Sequence, residues 1–360
     1  MHASIRSRTT AFCQRYGLAA PLLLAPMAGA CPPSLSIAVG AAGGMGACGA
    51  LLLQPDEIRA WGAAVRAGTT GPFQMNLWIP GAPPTRDAAH EAALRAFLAH
   101  WGPEVAADAP ERAAAGAPDF AAQCAALLDC APAAISSIMG LYPPDYVAAL
   151  KARGSAWWAT ATTVAEARAA AAAGADAIIA QGMEAGGHRG SFDPAVAEVA
   201  QVGTMALVPA IVDAVSVPVI ATGGIADGRG AAAALLLGAS AVQIGTGFLR
   251  CPEARLAPAW AAGLGRAAPE DTLLTRAFSG RAGRALTTAY ARAASAADAP
   301  RPAPYPVQRA LTAGLRGAAV QRDDLQAMQA WAGQAAALAP EQPAGTVLRA
   351  IWDSAQQLLD

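Results

Sequence analysis

The chain has 360 residues, 54% of them hydrophobic and 14% charged, enough to bury a large core as one big domain or two moderate ones. Its 25 Lys and Arg nearly balance 26 Asp and Glu with no long basic run, so the electrostatic footprint of a nucleic-acid binder is missing and a small-molecule partner is favoured. The six cysteines show no CxxC pair and no His at zinc-finger spacing, which argues against a metal site, and no apolar run reaches the roughly 18 residues of a membrane span.

In chain order, short apolar runs alternate with Ala-rich helical patterns, the signature of parallel strands joined by crossover helices. The first strand is LLLAPM at 22–27. Arg6, Arg8 and Arg15 ahead of it mimic a signal peptide, but Pro21 and Pro26 interrupt the apolar stretch and the strand count requires it. A cytoplasmic protein with inert thiols is therefore expected, with His2 at a frayed terminus. Further strands are expected at 45–49, 73–79, 133–139, 157–162, 176–181, 218–223 and 241–246. The intervening helices carry stops at Gly68, Gly154, Gly174 and Gly238 and starts at Thr163 and Asp227. Residues 80–132 are too long for one connection and read as a Pro-rich loop, a helix from about 86 to 101 and another from about 119 to 130.

Eight β/α units imply an α/β fold, a (β/α)8 TIM barrel over residues 1–250 with a helical insertion at about 80–132 after the third strand. Residues 251–360 then form a closing helix and a helical extension capping the barrel mouth. A doubly wound open sheet gives the same periodicity.

Barrels of this kind often bind phosphate between the loops after strands 7 and 8. Here the seventh strand exits through Gly223 and Gly224, and the eighth through Gln243, Ile244, Gly245 and Thr246. Such glycines let backbone N–H groups approach phosphate oxygens, or they simply make tight turns. The loop QGMEAGGHRG at 181–190 follows the sixth strand. Gly186 and Gly187 allow backbone to lie against a flat ligand and set His188 at the carboxyl end of a barrel strand, where catalytic groups of this fold stand. Histidine titrates near neutrality and suits acid–base work; a satisfied loop histidine is the bland alternative. Glu184 reads as a structural or solvated carboxylate. Arg189 reads as an anchor for an anionic substrate, an orienting group for the loop, or half of a surface ion pair. GMGACG at 44–49 matches a dinucleotide fingerprint only in letters, because it does not follow a strand and open a helix. No GxSxG elbow supports a hydrolase.

LLLAPMAGA, AAGGMGACG, PFQMNLW, AQGMEAGGHRGSF, VPVIATGGIADGRGAAAALLLGASAVQIGT, FSGRAGR and AWAGQ together resemble the nitronate monooxygenases, formerly 2-nitropropane dioxygenases, over nearly the whole chain. The resemblance implies an FMN-dependent oxidation of alkyl nitronates, propionate 3-nitronate or a relative, by O2 to a carbonyl compound and nitrite or nitrate. It implies His188 as the catalytic residue and Ala25, Pro26, Met27, Asn76, Gln181, Gly186, Gly187, Gly223, Gly224, Gln243, Ile244, Gly245 and Thr246 as cofactor contacts, with no metal, in a monomer or homodimer. NAD(P)H-dependent flavin reductases acting on quinones or enoyl thioesters carry similar GMExGGHxG segments and form the nearest alternative. A flavin-free phosphate-binding barrel is the alternative from another class.

Overall fold

The computed structural model describes Met1 and residues 3–360, so His2 lies outside the described residues. All eight expected strands are present. They are β1 (Leu22–Leu24), β2 (Gly46–Gly49), β3 (Phe73–Trp78), β4 (Ala134–Ile138), β5 (Ala156–Ala161) and β6 (Ala177–Gln181). A two-residue strand, β7 (Gly187–His188), intervenes outside the barrel, so the last two barrel strands are β8 (Val219–Thr222) and β9 (Ala241–Ile244). All pairings within this sheet are parallel, in the order β1-β9-β8-β6-β5-β4-β3-β2. The ends of that order meet through the Leu23–Met45 bridge, where Leu24 N donates to Met45 O at 2.9 Å. The sheet is thus a (β/α)8 barrel rather than an open one.

Its strands are apolar on both faces because both are covered: Leu22, Leu23 and Leu24 are 0% exposed, as are Trp157 and Trp158. The helices start where side chains can satisfy their first N–H groups. Thr163 accepts from Glu166 N at 3.2 Å and Asp227 from Gly230 N at 3.0 Å.

The bottom of the barrel is stoppered by a helix that the strand pattern did not reveal, Ala3–Tyr16, whose Phe12 and Tyr16 pack on Leu23, Trp158 and Ile220. Trp158 Nε1 donates to Tyr16 Oη at 2.9 Å, satisfying a buried indole.

Residues 80–132 divide between two neighbourhoods. Helix Phe120–Cys130 lies on the barrel wall, with Cys124 and Leu127 in one cluster with Ile58 and Trp61. Helix Ala88–Leu98 instead turns Leu94 and Leu98 toward Phe278, Tyr290 and Leu311 of the C-terminal region. A further short helix, Ala109–Ala115, lies between them.

The C-terminal region is mostly helical but, after a first helix at Pro258–Arg266, contains two strands that sequence periodicity did not show, β10 (Thr272–Thr275) and β11 (Gly283–Leu286). They pair with each other antiparallel, and β11 pairs with β7 through Gly283–His188 and Arg284–Gly187. The chain then returns to the barrel. Its last helix, Ala344–Leu359, sets Val347, Leu348 and Ile351 into the barrel's helical layer beside helix Gly228–Leu236. The helix that closes the barrel is therefore the final one, and residues between Ile244 and Ala344 form an excursion over the mouth.

Candidate active site

At the carboxyl ends of β8 and β9 the chain makes two glycine turns. Gly223 and Gly224 have φ of +109° and +71°, a left-handed path that a Cβ would strain. They line a cavity of about 510 Å³ together with Glu184, Thr204 and Gln334. Across from them, Gly245 lies against the end of β1; a Cβ there would sit 3.3 Å from Met27 Sδ and 3.4 Å from Ala25 Cβ. Ala25, Pro26 and Met27 are partly exposed, whereas Ile244 is buried.

Gly186 has a different reason to be glycine. A Cβ on it would stand 2.5 Å from Gly333 N and 2.7 Å from the Ala332 carbonyl carbon, so the loop and the Trp331–Gln334 segment touch backbone to backbone. Gly333 N donates to Thr246 Oγ1 at 3.0 Å and Gln334 N to Glu184 O at 2.9 Å, joining that segment to both the β9 exit and the histidine loop.

The three side-chain amides among the expected cofactor contacts are braced by the protein. Asn76 Nδ2 donates to Ser136 O and Oγ at 3.1 and 3.0 Å, leaving its carbonyl oxygen for another partner. Gln243 Oε1 accepts from Gln74 Nε2 at 2.8 Å, leaving its own amide N–H groups. Gln181 is used more fully: Nε2 donates to His188 O at 3.0 Å and Oε1 accepts from Gly190 N at 2.7 Å, so it shapes the loop.

His188 is held on three sides. Its Nε2 lies 2.7 Å from Ser279 Oγ, and its ring meets Trp78 and Trp331 edge-on at centroid distances of 4.7 and 4.8 Å. Ser279 comes from the loop between β10 and β11, Trp78 from β3, and Trp331 from the extension. Burial, with Arg309, Arg281 and Arg316 adding like-charge repulsion, pushes the imidazole pKa down to about 3. The ring is accordingly neutral across the physiological range, able to accept a proton but reluctant to keep it.

Those arginines are notable for what they lack. Arg281 reaches Met139 Sδ at 2.9 Å and lies over the rings of Trp78 and Tyr305 at 5.9 and 5.7 Å. Arg316 donates to Thr312 Oγ1, Gln329 Oε1 and the Arg309 carbonyl. No carboxylate pairs with Arg281, Arg309 or Arg316 among the described residues.

Glu184 is structural. Its carboxylate accepts from Thr204 N at 2.9 and 3.0 Å and from Thr204 Oγ1 at 2.9 Å, capping helix Thr204–Val212 at the positive end of its dipole. Arg189 makes no surface ion pair: it is 3% exposed and donates from Nη1 to the carbonyls of Gln181 and Gly182. Ser279, Trp78, Trp331 and the three arginines escaped sequence reasoning. The strings FSGRAGR, PFQMNLW and AWAGQ contain Ser279, Arg281, Trp78 and Trp331, whereas Arg309 and Arg316 lie outside every string singled out, and only the folded chain brings them all to one histidine.

Glycine exits on the last two strands and a braced histidine on the loop after β6 mark the catalytic end of a TIM-barrel enzyme, and its relatives make it an oxidoreductase. The family model for nitronate monooxygenase matches residues 12–353, and the chain belongs to that family. A nitronate monooxygenase from Pseudomonas aeruginosa is 40% identical, over 95% of this chain and 98% of its own. One from Paraburkholderia phytofirmans is 37% identical, over 96% and 94% respectively. Among solved structures, the nitroalkane oxidase from Streptomyces ansochromogenes superposes with a TM-score of 0.87 at 35% identity, covering 97% of this chain and 100% of its own. FabK from Thermotoga maritima gives a TM-score of 0.76 at 28% identity, covering 97% and 96%.

Proposed function

We propose that this protein binds FMN and uses it to oxidise alkyl nitronates with O2 to a carbonyl compound and nitrite. The observation that carries the reading is His188, a partly exposed imidazole bound to Ser279, on the loop that packs against the glycine exits, with Arg281, Arg309 and Arg316 acting on it. The donor set fits the cofactor. Gly223, Gly224 and Gly245 offer backbone and Thr246 a hydroxyl for the phosphate, Ala25, Pro26 and Met27 a small bed for the ring, and Asn76 and Gln243 free amide atoms for its edge. Bound FMN supplies the electron acceptance that no side chain of the protein offers.

The side chains then bind, orient and move a proton. With a neutral nitroalkane, His188 removes the α-proton through Nδ1; Nε2 carries its hydrogen to Ser279 Oγ, whose own hydrogen goes to the Arg281 carbonyl at 3.3 Å. With a nitronate already formed, no proton need leave carbon, and the arginines hold the anion instead. Trp78 and Trp331 keep the ring in place and water away from it. Three arginines without acidic partners among the described residues suit a substrate charged at two points, as propionate 3-nitronate is, with a carboxylate besides the nitronate.

His188→Asn tests the reading. It should depress nitroalkane turnover by at least about 100-fold while FMN still binds; unchanged turnover removes the assigned role. Bleaching of the enzyme by NADH without oxygen, together with inertness toward propionate 3-nitronate, would assign it to the flavin reductases.

A further inference from the structure

Behind the histidine loop lie two arginines that the proposed chemistry does not use. Side chains alternate along β7 and its continuation, so Arg189 points away from His188. Arg189 is 3% exposed and Arg284 5%. Arg189 Nη1 donates to Gln181 O at 3.1 Å and Gly182 O at 2.9 Å, and Arg284 Nε to Met183 O at 3.0 Å. Three successive carbonyls of the loop are thus gripped by two guanidiniums.

Neither cation is neutralised by an ion pair within 4 Å among the described residues, and Arg189 Nε and Nη2 are buried without a hydrogen-bond partner. The carboxylates that act on Arg189 are Glu166 and Glu184, and both are engaged elsewhere. Glu166 accepts from Thr162 N, Thr162 Oγ1 and Phe192 N, and Glu184 from Thr204 N and Oγ1. Hydrogen bonds from neutral donors leave both carboxylates charged, so they offset the two guanidiniums at a distance without touching them, and Arg189 keeps two buried N–H groups unsatisfied. A buried, under-satisfied cation is expensive to keep, and its retention beside a ligand-binding loop calls for a use.

We propose that Arg189, backed by Arg284, is a positioning residue for the cofactor: it fixes the path of loop 181–187 and lends it a positive field that favours reduced, anionic FMN over oxidised FMN. The inference rests on the flavin reading above. At an effective permittivity of about 20, removing one unit charge roughly 12 Å from the ring re-weights two redox states differing by one charge by on the order of tenfold.

The test compares wild type, Arg189→Met, Arg189→Lys and Glu184→Gln. Each apo-protein is titrated with FMN by fluorescence quenching, and the midpoint potential of bound FMN is measured. Arg189→Met should lose about tenfold in preference for reduced cofactor, a fall of about 30 mV for a two-electron couple. Arg189→Lys should restore the potential while leaving FMN binding weaker, because an ammonium cannot grip both carbonyls. Glu184→Gln should move the potential the opposite way, upward, and it decides the matter if Arg189→Met does not fold. A wild-type potential in Arg189→Met, an equal fall in the Lys variant, or no rise in Glu184→Gln overturns the inference while leaving the flavin site intact. Wild-type protein that binds no FMN overturns the flavin reading and this inference together.

Discussion

Ser279→Ala separates the orientation of His188 from its presence. Ser279 is 1% exposed with its hydroxyl 2.7 Å from Nε2, whereas Trp78 and Trp331 hold the ring independently at 4.7 and 4.8 Å. Removing the hydroxyl therefore deletes its 2.7 Å bond to the imidazole, together with two longer 3.3 Å bonds to the Arg281 backbone, and leaves the imidazole in its slot. Such a bond contributes about 1 to 1.5 kcal/mol, so kcat/KM for a neutral nitroalkane should fall roughly 5- to 13-fold. The same variant given preformed nitronate should change less than about 3-fold, since no proton then leaves carbon. Steady-state oxygen consumption with nitroethane and with ethyl nitronate reads both values on one preparation. Ser279→Thr keeps the hydroxyl and should recover most of the loss. Equal falls on both substrates, or none on either, would refute the tautomer assignment and the base role built on it.

Because His188 is held near a pKa of about 3, its unfolded form charges first as pH drops. Stability from this group should be flat above pH about 6.5 and fall between there and about 3, and kcat/KM with a neutral nitroalkane should show no acid limb near 6.5. Urea titrations and a pH–rate profile check the two; a limb at 6 to 7 contradicts the held-down pKa. Arg309→Ala should raise KM for propionate 3-nitronate about tenfold or more and leave ethyl nitronate nearly unchanged, because only the former has a carboxylate to lose. Parallel shifts on both substrates would show that Arg309 does not read that end. Glu184→Ala should lower stability by about 1 to 2 kcal/mol through loss of the cap on helix Thr204–Val212, seen as a lower urea midpoint. Gly186→Ala should weaken FMN binding and lower Tm together, since its Cβ would press on Gly333 N at 2.5 Å; an unchanged Tm would mean that the two backbones part freely.

The barrel was legible because its strands are short, continuous apolar runs and its helices carry start and stop residues such as Thr163, Asp227 and Gly238. Elements whose existence depends on a partner were not. A two-residue strand, Gly187–His188, and the GRAL of β11 have little strand character of their own and form through pairing, β11 with β10 along one edge and with Gly187–His188 along the other. Helix Ala3–Tyr16 carries its apolar residues sparsely, with only Ile5, Thr9, Phe12 and Tyr16 buried, and its arginines drew attention to targeting instead. His188 itself could be singled out from position and neighbouring glycines. Ser279, 91 residues further on, could not, because nothing local distinguishes a serine that will meet an imidazole. Arg189 shows a similar limit, since a side chain one place from a histidine gives no sign in sequence of which way it will face.

The order in which the pieces are assembled carries a consequence for biosynthesis. Every barrel strand has been made once Ile244 leaves the ribosome, yet Ser279, Trp331 and the helix Ala344–Leu359 that seals the wall come afterwards. A growing chain would hold its glycine turns and its histidine loop without the hydroxyl, the indole or the final strut. A chain stopped before Ser279 would lack the hydroxyl, the second indole and the final strut together, and should yield an inert, partly unsealed shell rather than a weaker enzyme.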